Sequence, residues 1–294
     1  MHYTGPVVRP PHEMHSILLE VTVGCTHNSC RFCNFYRETP FHMAPITQIE
    51  ADLKEVQRVA PDTKRVYALG GDPFTLSVQN LKKIGILIKS YLPEANIGTY
   101  ARITSIMPKS VEELKELRAI GFNDLVIGIE SGDDEVLTFM QKGYQASDIV
   151  EQCLKLEQAG INYYVIFLGG LAGRGNGIRN AKNTAAVLNQ LHPSHMYMTS
   201  VAVLPGTELY QDVSEGRFKE ASELERIQET LELIRALKNS ITLYGQSVAN
   251  PVNFVAKFPE QKESLIQELE SMIMKFTEKD ETVLRKHRES LRNV

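Results

Sequence analysis

The chain lacks tryptophan, has only four cysteines in 294 residues, carries no excess of basic residues and has no long apolar run. The missing tryptophan decides nothing. The charge balance is 32 Lys and Arg against 36 Asp and Glu, a net −4. That leaves no electrostatic footprint for a polyanion, so nucleic acid is not expected as a partner. No apolar stretch reaches the ~18 residues that a membrane span needs, so no membrane contact is expected. Closely spaced cysteines without a secretion signal read as cytosolic thiols rather than disulfides, and a cytoplasmic protein is expected. Residues 1–15 are polar, carry Pro6, Pro10 and Pro11, and read as an irregular arm. Apolar residues at 43% and charged residues at 23% are ordinary for a globular protein able to bury one large core.

Against this background, three of the four cysteines fall within nine residues, at Cys25, Cys30 and Cys33. Three thiolates do not close a tetrahedral metal site. They can hold three irons of a [4Fe–4S] cube and leave the fourth open to a ligand. A zinc site would need a fourth ligand, which His27 or His42 could supply, but no second ligand pair follows downstream. Cys153 falls on the apolar side of a helical segment and reads as core.

Hydrophobic patterning predicts strands over residues 16–23, 65–69, 97–103, 124–129, 163–168 and 195–204. Helices are predicted over 46–59, 78–92, 111–120, 148–159, 178–191 and 224–237. Strict alternation argues for a parallel sheet flanked by helices. The expected fold class is α/β, a partial (β/α)6 TIM-type barrel with a C-terminal strand and helix extension. In such barrels ligands sit at the C-terminal ends of the strands. There lie the cysteine loop, Gly70-Gly71, Glu130-Ser131, Gly169-Gly170 and Pro205-Gly206. The domain reading is an arm at 1–15, the barrel at 16–240 and a capping segment at 241–294. Its charged end, 278–294, reads as a solvated helix.

On these residues the chain resembles the radical S-adenosylmethionine (SAM) superfamily, over about residues 16–240. The first cysteine gap, four residues, is one longer than the family's usual three. The resemblance implies that Cys25, Cys30 and Cys33 ligate a [4Fe–4S] cluster whose open iron chelates SAM. One electron, from a reductant such as flavodoxin or ferredoxin, then cleaves SAM to methionine and a 5′-deoxyadenosyl radical. That radical takes hydrogen from a small-molecule substrate. Phe32 and Tyr36 are implied near the adenine. Gly70, Gly71 and Asp72 stand where the family's Gly-Gly-Glu-Pro grips the methionine amino group. Glu130 and Ser131 would meet the ribose and methionyl group, and Phe167 and Leu204 would flank the adenine. Arg102 would meet the SAM carboxylate, or else form a surface ion pair.

Candidate substrate residues are Glu20, Asn34, Tyr100, Tyr164, Asn250 and Phe254, amide, acidic and aromatic groups suited to a planar polar ligand. With only Cys153 left over, no auxiliary cluster is expected, and no Asp-x-His-x-x-Gly motif suggests cobalamin. The expected activity is that of a radical SAM lyase acting on queuine to release a 7-deazaguanine base. The alternatives are a porphyrin- or haem-processing enzyme of the coproporphyrinogen-dehydrogenase type, and a non-catalytic iron–sulfur or zinc binding protein.

Overall fold

The computed structural model describes residues 1–292. Asn293 and Val294, the end of the expected charged tail, lie outside the described residues. The strands are β1 (Ile17–Glu20), β2 (Thr22–Val23), β3 (His42–Met43), β4 (Arg65–Leu69), β5 (Asn96–Ala101), β6 (Phe122–Glu130), β7 (Asn162–Gly169), β8 (His195–Ser200), β9 (Thr242–Tyr244) and β10 (Val255–Lys257). The helices are α1 (Ile46–Val59), α2 (Val78–Tyr91), α3 (Ile103–Ile106), α4 (Val111–Ile120), α5 (Asp134–Phe139), α6 (Ala146–Ala159), α7 (Gly177–Leu188), α8 (Glu208–Ser214), α9 (Glu223–Ala236), α10 (Lys262–Lys275) and α11 (Glu278–Ser290). The fold is α/β: a mostly parallel eight-stranded sheet ordered β1-β4-β5-β6-β7-β8-β9-β10. It is of the partial (β/α)6 barrel type, continued by a C-terminal strand and helix extension.

The chain forms two compact units interleaved along the sequence. One comprises Met1–Asn28, Phe35–Gly128 and Gln152–Tyr164; the other comprises Ser29–Asn34, Ile129–Glu151 and the chain from Val165 onward. In the first, β1, β4 and β5 pair in parallel and Leu19, Val66, Ile97 and Leu125 are buried. In the second, β8 pairs in parallel with β9, and β10 returns antiparallel. No helix among the described residues is long and apolar enough to cross a membrane.

Local chemistry sets the boundaries. Ser110 and Glu113 cap α4 reciprocally, and Gly121, at φ 119°, ends it in the left-handed region. Three short helices are absent from the sequence reading, α3, α5 and α8; the last two start at Asp133 and Thr207, whose side chains accept from Glu135 N and Tyr210 N. The expected first strand stops at Glu20, and Thr22–Val23 pairs instead with His42–Met43. The charged C-terminal segment is not simply solvated. Arg288 of α11 is buried, with Nε and Nη2 donating to Glu223 Oε1 and Oε2 at 2.7 and 2.5 Å. A desolvated guanidinium must be paired, and here a bidentate carboxylate pairs it.

Candidate functional site

The first unit carries Cys25 and the glycine turn after β4. Gly71 N donates to Gly24 O at 3.0 Å. A Cβ on Gly71 would lie 2.7 Å from Gly24 O, 2.7 Å from the Tyr36 ring and 2.9 Å from Cys25 Cβ. Only glycine lets the strand-end turn and the cysteine loop meet backbone to backbone. At Gly70, whose φ is 144°, a Cβ would fall 1.9 Å from Thr22 Oγ1 and 2.8 Å from Thr22 O. Asn28, at φ 45°, turns the loop and donates to Tyr36 O at 2.7 Å.

Asp72 follows directly and is wholly buried. Thr26 Oγ1 donates to its Oδ2 at 3.3 Å, while Oδ1 has no hydrogen-bond partner. Burial pushes its carboxyl up to about 6, opposed by the charge of Arg102. Arg102 caps α3 through its amide, and its Nη1 donates to Thr104 Oγ1 at 2.9 Å. The buried Lys109 Nζ donates to Phe74 O and Ser105 O at 2.7 and 2.8 Å, and desolvation lowers it to about 8 against the pull of Asp72.

The second unit carries Cys30 and Cys33, joined by a turn in which Cys33 N donates to Cys30 O at 3.1 Å. Arg31 anchors this stretch: its amide donates to Met140 O and its carbonyl accepts from Leu209 N. Its guanidinium meets Asp212 Oδ2 at 2.7 Å and lies over the Phe139 ring. Helices α5 and α8 therefore hold the loop, which is why both matter to the site. Phe32 packs against a core of Met140, Leu168, Leu171 and Leu209.

Glu130 has φ 62°, and Ser131 N donates to Ile129 O at 2.8 Å. That is a γ-turn with its central residue in the left-handed region, a strained conformation that persists only where the surroundings enforce it. They do. Tyr144 OH donates to Ile129 O, and Gly132 N donates to Thr184 Oγ1. Lys142 Nζ sits 3.3 Å from Glu130 Oε1, with the Phe32 and Tyr144 rings each 5.6 Å away. Sequence reading missed Lys142. A lysine soon after a short helix carries no signal until the chain folds back onto Glu130.

Several expected residues have other partners. Ser131 is buried, donates to Asn180 Oδ1 at 2.5 Å and accepts from Asp133 N, so its hydroxyl is engaged within the fold. Phe167 shares its face of β7 with the buried Tyr163 and Val165; alternation puts Leu168 on the opposite face, with Tyr164 and Ile166. Leu204 is buried, and its carbonyl caps a turn to Thr207. Glu20 accepts from Thr4 N and Oγ1, each at 2.8 Å. Tyr164 reaches Asp124 near the start of β7, with His12 against its ring. Asn250 clamps its loop by donating to Met198 O and Gly245 O, and the Phe254 ring covers Gly245. Tyr100 meets Tyr67 edge-on, and Asn34 is half-buried beside Cys33.

Residues 19–180 match the Radical SAM superfamily. The haem chaperone HemW of Bacillus subtilis (strain 168) is 26% identical over 202 residues, covering 66% of this chain and 52% of that protein. The chain thus spans about half the length of this curated relative. Among solved structures, the radical SAM methyltransferase TsrM from Kitasatospora setae is 16% identical over 68% of this chain and 39% of its own, with a TM-score of 0.57. Methylornithine synthase is 16% identical over 92% of this chain and 85% of its own, with a TM-score of 0.52. Coproporphyrinogen III oxidase from Escherichia coli is 17% identical over 75% and 51%, with a TM-score of 0.54. These likenesses show the shared fold. The chain belongs to the radical SAM superfamily, and its cofactors are a [4Fe–4S] cluster and SAM. The chemistry of the residues present suits them, with three half-buried thiols free of disulfides and a buried carboxylate with an open acceptor; among the described residues no three such side chains stand gathered as a metal ion would need.

Proposed function

We propose that Cys25, Cys30 and Cys33 ligate the cluster, that Gly70, Gly71 and Asp72 take the amino end of SAM, and that Glu130 holds another of its polar groups. Asp72 carries this reading: a wholly buried carboxylate with one unpartnered oxygen, on the glycine turn packed against Cys25. A buried anion with an open acceptor suits an ammonium group. Phe32, Leu204 and, in place of Phe167, Leu168 offer apolar surface for the adenine. When bound and reduced by an external one-electron donor such as flavodoxin or ferredoxin, the cofactors supply cleavage of the sulfonium bond and hydrogen-atom abstraction from substrate. The protein binds, orients and keeps the reacting groups apart from water.

The substrate in this reading is small and planar. Relation to a haem chaperone favours a porphyrin- or haem-type ring. A 7-deazapurine is also a small flat ring, so cleavage of queuine is the second reading. Anaerobic turnover of the reconstituted protein with a porphyrin, haem and queuine, scored by 5′-deoxyadenosine, separates them. Stimulation by a tetrapyrrole is expected. Release of a free 7-deazaguanine base would select queuine, and no SAM cleavage with an intact cluster would overturn the enzymatic reading.

A further inference from the structure

A buried hydrogen-bond chain joins the turns that end β6 and β7. Ser131 Oγ donates to Asn180 Oδ1 at 2.5 Å, and Asn180 Nδ2 donates to Glu229 Oε1 at 2.7 Å. From the other side Gly170 N donates to Glu229 Oε2 at 2.6 Å. Ser131, Asn180 and Glu229 are all essentially inaccessible to solvent. Every proton in the chain points toward the Glu229 carboxylate, the one group able to accept from both sides. Arg226, one turn earlier on α9, donates to Gly169 O at 3.3 Å and Val201 O at 3.1 Å. A Cβ on Gly170 would lie 2.0 Å from its Nη1, so the arginine backs that turn directly.

We propose that Glu229 is a positioning residue: through Asn180 and Ser131 on one side and the Gly170 amide on the other, it holds both strand-end turns as one rim and so sets SAM affinity without touching SAM. The proposal rests on the reading that this rim binds SAM. The groups facing Glu229 are Asn180 of α7, the Gly170 amide after β7, Ser200 of β8 beside Gly169, and Arg226 and Glu225 of its own helix. Arg288, Glu223 and Glu220 lie beyond Arg226. Burial pushes the Glu229 carboxyl up to about 7, against the hydrogen bonds from Asn180 and Gly170. The ionised, two-sided acceptor therefore exists above about pH 7. Protonation below it places a hydrogen against one of the two donors and breaks or reverses the chain.

The test uses the full chain with its cluster reconstituted anaerobically. SAM affinity and amide hydrogen exchange are measured at pH 8 and pH 6 for the unaltered protein, Glu229→Gln and Ser131→Ala. Glu229→Gln should weaken SAM binding about fivefold at pH 8, the scale of one net hydrogen bond. It should also remove the part of the pH 8-to-6 loss of affinity that Glu229 causes. Ser131→Ala, at the far end of the chain, should speed exchange around Gly170 as well as at its own turn. Exchange altered only locally, or a pH step unchanged in Glu229→Gln, would overturn the brace. Both turns loosened with SAM affinity intact would instead remove the rim reading beneath it.

Discussion

Two buried charge sets, Glu13 with Arg65 and Asp124 in the first unit and Glu229 with Arg226 in the second, are handled in opposite ways. In the first, Arg65 at the start of β4 donates to both oxygens of the buried Glu13, at 3.2 and 3.1 Å from Nε, and to Asp124 near the start of β6. Burial opposes ionisation of Glu13, yet His12, Arg65 and Ser16 hold it down at about 2. In the second, Glu229 is pushed up to about 7 and Arg226 down to about 10, both by desolvation. The first set is matched and its charged forms are favoured. The second is mismatched and its charged forms are costly. A carboxylate held ionised by its partners stabilises a fold. One held near neutrality at physiological pH costs stability and marks a place where position matters more. The matched set lies at strand starts and the mismatched one behind strand ends, the ends at which barrels of this class bind ligands.

The largest effect expected at the strand ends comes from Gly71→Ala. Its Cβ would meet Gly24 O and Cys25 Cβ, neither able to yield cheaply. The variant should lose most of its reconstitutable iron; full retention, read by iron and sulfide assay, would detach the turn from the cysteine loop. At the strand starts, Arg65→Ala leaves the buried Glu13 without its guanidinium partner, with only His12 and Ser16 beside it. It should cost about 3–5 kcal/mol in denaturant unfolding while leaving SAM affinity nearly unchanged. A loss below ~1 kcal/mol would break the contrast from that side.

Asp72→Asn should weaken SAM binding by about 1.5–3 kcal/mol, roughly ten- to a hundredfold, with little change in unfolding. Equal affinity by equilibrium dialysis would withdraw Asp72 from the site. The smallest effect is in pH. Glu13, with its folded value lowered to about 2, contributes stability that is present above about 4.5 and lost as pH falls toward 2. Glu229, with its folded value raised to about 7, contributes stability that is present below about 4.5 and lost as pH rises through 7. Relative to Glu229→Gln, the unaltered protein should therefore lose on the order of 1–2 kcal/mol between pH 5 and pH 8. Parallel stability profiles would show that Glu229 is not the strained group.

The β–α rhythm was legible because it is local: periodicity, the Ser110 cap and Gly121 mark α4 without reference to anything distant. The cysteine spacing and Gly70-Gly71 were legible for the same reason. Helices α5 and α8 were not, because a single turn or two offers too few apolar positions to set a period, although Asp133 and Thr207 were readable caps. Phe167 illustrates a different limit. Strand β7 reads as a continuous apolar and aromatic run from Tyr163 to Leu168, so its phase is invisible in the sequence even though its burial alternates. Lys142, Asn180, Glu229 and Arg288 are polar residues on helices or turns whose patterns give no reason to bury them. Only contacts tens of residues away, Glu229 to Gly170 and Arg288 to Glu223, turn them into parts of the site's support.

The central claim is that the cysteine triad holds a SAM-binding [4Fe–4S] cluster beside Asp72. The most direct measurement is electron paramagnetic resonance of the anaerobically reconstituted, reduced protein with and without SAM, together with its iron and sulfide content. The expected result is about four irons and four sulfides per chain and a signal that shifts on adding SAM, lost together in Cys30→Ala. One bound zinc without sulfide, or a cluster signal indifferent to SAM, would contradict it.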